Sequence, residues 1–251
     1  PLIVDNTVAT PLMLKPIQHG ADVVVHSLTK FVGGHGTTTG GAIVDSGRFP
    51  WSEHAERFPM FNEPEPAFHG VVFARDFPDR AFVVRARSTQ LRNTGATLSP
   101  FNAFLLLQGL ETMAVRLDRH EANARAVAAY LAADPRVEWV SFAGFPDHPH
   151  HELVQRYLHG RVPSIITFGA AGGYDAGLAF FDSLRLFKRL LNLGDAKSLV
   201  IHPASTTHRQ LSGPELVAAG IRPETIRLSI GLEHIDDLID DIDQALTAAT
   251  T

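Results

Sequence analysis

The chain contains no cysteine among its 251 residues, which excludes disulfide bonds and thiolate metal sites within it. No apolar run approaches the roughly 20 residues that a membrane-spanning helix needs. Basic residues form no block and the net charge is −5, which argues against a nucleic-acid partner. We therefore expect a cytoplasmic protein that binds neither membranes nor nucleic acids.

The composition is that of a globular protein, with 45% hydrophobic and 20% charged residues. The order of the predicted elements indicates an α/β fold in two parts. Residues 1–110 are expected to form the first part, and residues 111–251 a smaller α/β domain that begins with a long helix over 111–133. The first part is expected to carry the candidate site.

Residues 2–4 and 22–26 are predicted as strands, and residues 13–19 between them as a short helix. Such a βαβ unit makes the two strands parallel. Asp5 and Lys30 then follow the carboxyl ends of neighbouring strands, at the edge where open α/β sheets bind ligands.

The remaining elements are predicted from apolar periodicity and from helix-start signals. The predicted strands are 41–45, 137–142, 164–168 and 226–230, and the predicted helices are 81–91, 99–110, 174–184, 214–219 and a last helix from Ile235 onwards. The proline- and phenylalanine-rich segment 58–70 is predicted as a long loop. The glycine-rich segment 33–41 matches neither common phosphate-binding template, so we interpret it as a turn beside the site.

Lys30 could be an ordinary surface lysine, but its neighbours favour a site. Asp5, Ser27 and Thr29 accompany it at the predicted sheet edge. Pyridoxal phosphate needs an amine for a Schiff base, a carboxylate for its pyridine nitrogen and donors for its phosphate. These four residues offer that set, and a desolvated lysine is a competent nucleophile.

Several motifs resemble the Cys/Met-metabolism family of pyridoxal-phosphate enzymes, whose fold is the aspartate-aminotransferase-like fold type I. They are VDNT at 4–7, SLTKF at 27–31, GGHG at 33–36, RNTG at 92–95, HPASTTH at 202–208 and IRLSIGLE at 226–233. The resemblance covers nearly the whole chain. Under it, this chain would be the second half of the large, mostly parallel sheet domain followed by the C-terminal domain.

Within the family, four segments are similar to the O-acetylhomoserine sulfhydrylase branch. They are 61–70, 99–104, 146–160 and the double threonine Thr206 and Thr207. The resemblance implies replacement of the acyl group of O-acetylhomoserine by sulfide or a small thiol. Cystathionine γ-synthase, cystathionine γ-lyase and methionine γ-lyase chemistry remain alternatives within the family, and an inactive piece that needs a partner chain is an alternative of another class.

The resemblance also implies a role for each site residue. Lys30 would carry the coenzyme as a Schiff base and move protons, and Asp5 would pair with the pyridine nitrogen. Ser27 and Thr29 would bind the phosphate. The substrate carboxylate would be held by Arg227, with Asn192 beside it and Thr207 orienting the arginine. From the residues alone, a plain surface arginine is the favoured interpretation of Arg227, and Asn192 could equally be a turn residue before Gly194.

The predicted core strand near Pro1 suggests a fragment or one piece of a split protein, although a domain can also begin with such a strand. The resemblance implies an N-terminal arm and a first half of the large domain, which would complete the coenzyme site. It also implies a homotetramer, a dimer of dimers with shared sites. His148, His150 and His151 with Glu152 could suggest a metal site, but two nearby prolines favour an exposed loop, and we expect no metal.

Overall fold

The computed structural model describes residues 1–250. Its first sheet has the order β1-β2-β3, with β1 at Ile3–Asp5, β2 at Val23–Ser27 and β3 at Gly41–Asp45. β1 and β2 are parallel, as predicted, and Asp5 lies opposite Val25. β3 is antiparallel to β2, so this sheet is mixed.

The second sheet has the order β4-β5-β8-β7-β6 and is mainly antiparallel. Its strands are β4 (Val137–Ser141), β5 (Ile165–Ala170), β6 (Lys188–Arg189), β7 (Leu199–Ile201) and β8 (Thr225–Ser229). β8 occupies the centre of this sheet, between β5 and β7. Arg227 therefore lies on a central strand, opposite Thr167 on β5 and Ile201 on β7.

Along the sequence, one α-helix lies between β1 and β2, and all other α-helices follow β3. They are α1 (Thr10–Met13), α2 (Pro59–Asn62), α3 (Phe73–Asp76), α4 (Ala81–Arg85), α5 (Arg92–Thr94), α6 (Pro100–Glu111), α7 (Met113–Ala133), α8 (His151–Leu158), α9 (Gly173–Ser183), α10 (Gly213–Ala218) and α11 (Ile235–Ala249). Short 3₁₀ helices span Pro16–His19, Trp51–His54 and Pro66–Phe68, and a π-helical segment spans Ala86–Leu91. Among residues 1–250, no helix combines the length and apolar character that crossing a membrane requires.

Some predicted elements need correction. Of the helix predicted over 13–19, α1 already ends at Met13 and only the 3₁₀ helix Pro16–His19 forms, because Pro16 fixes its own backbone and disfavours a helical conformation at Lys15. The predicted loop 58–70 contains α2 and the 3₁₀ turn Pro66–Phe68. β6, β7 and α8 were not predicted, and α8 begins within the histidine-rich segment that was expected to be a loop.

One face of the second sheet packs on α7, α9 and α11 and forms the main hydrophobic core. Alternate residues of β8 point into it: Ile226 and Leu228 are fully buried, whereas Arg227 between them lies on the opposite face. Phe168 of β5 and Phe180 of α9 meet edge to face in this core, with ring centroids 5.2 Å apart. Burying each such side chain stabilises the fold by about 1.5–3 kcal/mol.

α7 connects the two regions. Near its start, Met113 and Leu117 pack against Phe31 and Val32, which directly follow Lys30. Further along, its apolar face enters the core of the second sheet, where Leu131 is fully buried. The helix therefore contacts both the turn after β2 and the sheet that contains Arg227. The division at residue 110 itself stays a prediction.

Candidate active site

Lys30 lies in a tight turn that follows β2. The amide of Gly33 donates to the carbonyl of Leu28 at 2.8 Å, and the amide of Gly34 donates to the carbonyl of Lys30 at 2.7 Å. These bonds turn the chain directly after the strand, as the position of a ligand-binding edge requires. The Lys30 side chain is partly exposed and extends towards residues far along the sequence.

Asn192 connects Lys30 with Arg227. The amine Nζ of Lys30 donates to the side-chain Oδ1 of Asn192 at 2.5 Å, across 162 positions of sequence. The guanidinium Nη2 of Arg227 donates to the backbone carbonyl of Asn192 at 3.2 Å. One residue thus contacts both the amine and the guanidinium, which makes Asn192 part of the candidate site.

Gly194, two residues after Asn192, contacts both β8 and the turn after β2. The amide of Gly194 donates to the hydroxyl of Ser229 on β8 at 3.0 Å. Gly194 has a φ of +71° and lies so close to Phe31 that a Cβ would come within 2.7 Å of the Phe31 amide nitrogen. Only glycine fits both the backbone conformation and this contact without strain.

Arg227 is partly buried on β8, and no carboxylate forms an ion pair with it within residues 1–250. Burial lowers the pKa of its guanidinium, which nevertheless stays protonated because arginine is the strongest base among the side chains. A partly buried cation without an anion is suited to bind the carboxylate of a ligand. Arg227 is thus a half-buried residue, and its role in binding a substrate carboxylate stays a prediction.

Asp5 ends β1, and Thr7 fixes its carboxylate. The backbone amide of Thr7 donates to Oδ1 of Asp5 at 2.9 Å. Hydrogen bonds from the Thr7 hydroxyl and amide lower the pKa of Asp5 below its ordinary value, and the nearby His26 adds to the effect. The carboxylate is therefore ionised at neutral pH, as a group that pairs with a protonated pyridine nitrogen must be.

Thr7 is a site residue that the sequence reasoning missed. Its hydroxyl also accepts a hydrogen bond from the amide of Ser27 at 2.8 Å, so it joins the ends of β1 and β2. A threonine two positions after an aspartate at a strand end is a turn signal that could have revealed it.

The two hydroxyl residues before Lys30 differ in their partners. Thr29 Oγ1 accepts from the amide of Gly40 at 3.1 Å and lies 3.4 Å from the carbonyl oxygen of the same residue. The hydroxyl of Ser27 makes no hydrogen bond within residues 1–250, although Ser27 pairs with Gly41 through the sheet. Ser27 is therefore free to bind a ligand oxygen, and Thr29 would have to exchange its bond with Gly40.

Thr207 and Arg227 both line an open cleft of about 610 Å³ beside the second sheet. The Thr207 hydroxyl lies 2.8 Å from Nδ1 of the neighbouring His208 and forms no hydrogen bond with Arg227 in this structure. The carbonyl of Asn192 is the group that orients the guanidinium here. Lys30 is not part of the cleft wall and approaches Arg227 only through Asn192.

The histidine-rich segment provides no metal centre in the part of the chain that the structure describes. Nowhere in residues 1–250 do three or more histidine, aspartate or glutamate side chains group as metal ligands. His148 and His150 contact each other ring to ring at 5.7 Å, and His151 begins α8. His148 and His150 lie in the turn before α8, as the expected loop does, whereas His151 and Glu152 belong to the helix itself.

Comparison with known proteins places the chain in one family. The profile described as "Cys/Met metabolism PLP-dependent enzyme" matches residues 1–247. The homocysteine synthase of Schizosaccharomyces pombe is 49% identical over 250 residues, which are 99% of this chain and 58% of that protein. This chain thus spans little more than half the length of the curated relatives it matches.

Two solved structures show the same fold. One is described as an O-acetylhomoserine (thiol)-lyase of Campylobacter jejuni, with a pyridoxyl phosphate group on a lysine; its TM-score is 0.89 at 45% identity, over 98% of this chain and 58% of that one. The other, cystathionine gamma synthase of Xanthomonas oryzae pv. oryzae, has a TM-score of 0.76 at 35% identity, over 99% of this chain and 55% of that one.

These matches agree with the α/β structure and with the amine, carboxylate and guanidinium found at the strand ends. The fold is that of the pyridoxal-phosphate enzymes of fold type I, and its relatives are homocysteine synthases and O-acetylhomoserine sulfhydrylases. The chain belongs to the Cys/Met metabolism family of PLP-dependent enzymes.

Proposed function

We propose that the protein containing this chain makes L-homocysteine and acetate from O-acetyl-L-homoserine and sulfide, a γ-replacement of methionine biosynthesis. The observation that carries the proposal is the link from Lys30 through Asn192 to Arg227. An amine and an unpaired guanidinium held together in this way can act on the α-carbon and the carboxylate of one amino acid. The names of the relatives support the choice of reaction.

The residues present fit pyridoxal phosphate. Lys30 offers a partly exposed amine, and Asp5 offers a carboxylate that its hydrogen bonds keep ionised. Ser27 offers a hydroxyl without a hydrogen bond among the described residues, and Thr29 a second one on the same turn. When bound, the coenzyme supplies an electron sink that makes the Cα and Cβ protons of an amino acid removable.

Arg227 would bind the substrate before any bond changes. Of its nitrogens, only Nη2 makes a hydrogen bond within residues 1–250, so the guanidinium can receive a carboxylate with two parallel hydrogen bonds. Asn192 would keep this guanidinium in place through its carbonyl and present its side-chain amide to the same carboxylate. Thr207 would form part of the wall around it.

Lys30 would move the protons. Its amine would take the proton from Cα, release that proton to the surrounding water, and only then take the one from Cβ. As the second proton is removed, the Cγ–O bond would break and acetate would leave with the bonding electrons. Hydrosulfide then forms the new bond to Cγ, and Lys30 returns protons to Cβ and Cα. The sum is O-acetylhomoserine plus hydrogen sulfide giving homocysteine plus acetic acid. Asn192 Oδ1, which accepts from Lys30 Nζ here, would hold the amine between transfers.

We further propose that segments outside these residues complete the site and that the whole protein is a cytoplasmic homotetramer. The first sheet and α6 support the additional segments or subunits, because they expose large apolar side chains that folded proteins normally cover. Examples are Leu2 at 53%, Ile43 at 50% and Phe101 at 67% exposure. The relatives are longer than this chain, so they contain residues that could cover these surfaces.

The test uses the purified full-length gene product supplied with pyridoxal phosphate. O-acetyl-L-homoserine and sulfide should give homocysteine and acetate in equal amounts, and O-succinyl-L-homoserine should react more slowly. The 251-residue chain alone, measured in parallel, should be inactive if other segments complete the site. Absence of homocysteine from O-acetyl-L-homoserine would refute the reaction.

The second candidate function is cystathionine or methionine chemistry of the same family. The structural match to cystathionine gamma synthase at a TM-score of 0.76 favours it. Cysteine in place of sulfide would then give cystathionine at a comparable or higher rate. γ-Elimination would instead release 2-oxobutyrate from cystathionine or methionine without any sulfide. Comparing these substrates in one assay separates the reactions.

A further inference from the structure

Three polar side chains form a buried stripe along α7. Arg116, His120 and Asn123 are spaced by four and then three residues, which places them on one face of the helix. Their exposed fractions are 5%, 1% and 2%. Burying such groups is costly unless each is hydrogen-bonded, so their partners explain their presence.

Arg116 binds the turn that follows Lys30. Its Nη1 donates to the carbonyl of Phe31 at 2.8 Å, and its Nη2 donates to the carbonyls of Val32 at 3.0 Å and Gly109 at 2.6 Å. No carboxylate pairs with Arg116 among the residues that the structure describes. Backbone carbonyls therefore compensate its charge, and two of the three belong to the residues directly after Lys30.

The fit between Arg116 and this turn is close. Gly34 has a φ of +71°, and a Cβ on it would lie 2.0 Å from Nη1 of Arg116. Any side chain at this position would displace the guanidinium. The turn and α7 thus fix each other's position. Because Lys30 stands at the start of this turn, the position of its backbone is fixed as well.

His120 and Asn123 bind the other half of the site. The ring Nδ1 of His120 lies 2.7 Å from the carbonyl of Ile230, and Nδ2 of Asn123 donates to the carbonyls of Gly231 at 3.0 Å and Glu233 at 2.9 Å. These carbonyls come directly after β8, the strand of Arg227. Burial lowers the pKa of His120, so its ring is neutral and Nδ1 is the donor.

His120 contacts both the turn after Lys30 and the segment after β8. Its ring packs edge-on against Phe31, with centroids 5.6 Å apart. The stripe therefore contacts the residue after Lys30 and the residues after Arg227's strand within two turns of one helix. We propose that Arg116, His120 and Asn123 are positioning residues that set the distance between Lys30 and Arg227, and this rests on the proposed function.

Setting that distance matters because one amino acid must reach both groups. A misplacement of about 1 Å between a substrate and a catalytic group can lower a rate by about a hundredfold. The three stripe residues hydrogen-bond to backbone carbonyls and not to the side chains of Lys30 or Arg227. Changing them should therefore alter the catalytic rate and the surroundings of Lys30 and leave the amine and the guanidinium themselves intact.

The experiment compares Arg116→Met and Arg116→Lys with two controls on α7 in the full-length gene product. Arg119→Met changes an exposed arginine of the same helix. Leu131→Ala removes a fully buried side chain far from the turn and should lower the stability of the protein. The first readout is kcat and KM, and the second is the labelling of Lys30 by an acylating reagent without coenzyme, relative to Lys188 in the same sample.

We expect Arg116→Met to lower kcat by about ten- to a hundredfold with a smaller change in KM. The labelling ratio of Lys30 to Lys188 should rise at least about threefold, because the turn loses its hydrogen bonds to the helix. Arg116→Lys, which keeps the charge and can donate to fewer carbonyls, should fall between Arg116→Met and the unaltered protein. Arg119→Met should match the unaltered protein, and Leu131→Ala should lose stability with kcat almost unchanged.

The proposal is overturned if Arg116→Met loses stability but retains the kcat and the labelling ratio of Leu131→Ala. It is also overturned if Arg116→Lys equals the unaltered protein in both readouts, and this variant decides the matter should Arg116→Met not fold. The labelling needs no substrate and no coenzyme. If the unaltered protein did not turn over O-acetylhomoserine, the proposed reaction would fail while the labelling still tested the stripe.

Discussion

The two sheets differ in how completely they are covered. In the second sheet, Ile166, Phe168 and Leu228 are fully buried against helices. In the first sheet, Ile3 and Ile43 are about half exposed, at 51% and 50%. The region of Arg227 therefore has a core of its own, whereas the region of Lys30 has an apolar surface without a cover in the described residues.

This difference shows where the geometry of the site comes from. Arg227 is fixed by the sheet around it, because β8 pairs on both sides. Lys30 follows a strand in the less covered sheet and is held in place by contacts from elsewhere: Asn192 at its amine and Arg116 at the turn behind it. Asn192 and Arg116, which belong to the well-packed region around Arg227 and α7, thus position Lys30 in the less covered region.

Loss of Lys30 should have the largest effect. Lys30→Ala removes the amine that would bind the coenzyme and move the protons, so we expect kcat of the full-length gene product to fall at least about ten-thousandfold. Steady-state kinetics and the visible absorbance of bound coenzyme measure this. Lys188→Ala, on the exposed strand β6, is the control and should retain full activity. Retained activity in Lys30→Ala would remove Lys30 from the mechanism.

Core truncation tests the comparison of the sheets directly. Phe168→Ala in the 251-residue chain should lower the free energy of unfolding by about 3–5 kcal/mol, because it leaves a cavity in a closed core. Ile43→Ala should cost less than about 1 kcal/mol in the same chain, because half of that side chain is already exposed. Urea denaturation measures both. Equal losses would show that the sheets are equally well packed.

Arg227→Met should lower kcat/KM for the amino-acid substrate by about 30- to 150-fold, mostly through KM. The substitution removes a bidentate, charge-assisted contact that is worth about 2–3 kcal/mol. Arg222→Met is a matched control: Arg222 lines the same cleft but lies over the ring of Trp139 at 5.1 Å. Equal effects of the two substitutions would mean that the cleft attracts the substrate by general charge alone.

Thr7→Val should have the smallest effect, on the titration of Asp5. The Thr7 hydroxyl lowers the pKa of Asp5, so its removal should raise that pKa towards its ordinary value. A lowered folded pKa stabilises the protein above the pKa of the unfolded chain, and this contribution disappears as the pH falls through the folded value. The variant and the original chain should therefore differ at neutral pH and converge in strong acid. Carbon-13 NMR of the Asp5 carboxyl group measures the shift, and an unchanged pKa would contradict it.

Local signals in the sequence predicted the elements that depend on local chemistry. β3 begins and ends at the predicted residues 41 and 45. The Ser99-Pro100 pair starts α6, where Ser99 Oγ accepts from the amide of Asn102 at 3.1 Å. The parallel pairing of β1 and β2 followed from the helix between them, so the relation of Asp5 to Lys30 was predictable.

The rest depends on contacts between distant residues. β6 has two residues and β7 three, too few for a periodic pattern. β7 exists because β8 offers it a neighbour, and β6 pairs in turn with β7. The pairing of Lys30 with Asn192 spans 162 positions, and no local pattern encodes it. The buried stripe of α7 could be seen as a spacing of polar residues, but such a stripe normally marks a solvated face. Its burial follows only from the packing of two distant segments on one helix, the turn after β2 and the residues after β8.

The most direct test of the account is to find which lysine carries the coenzyme. The full-length gene product would be loaded with pyridoxal phosphate, reduced with borohydride and digested, and the modified peptide would be identified by mass spectrometry. The account predicts a phosphopyridoxyl group on Lys30 and none on Lys15, Lys188 or Lys197. Modification of Lys197, or labelling spread evenly over all of these lysines, would contradict it.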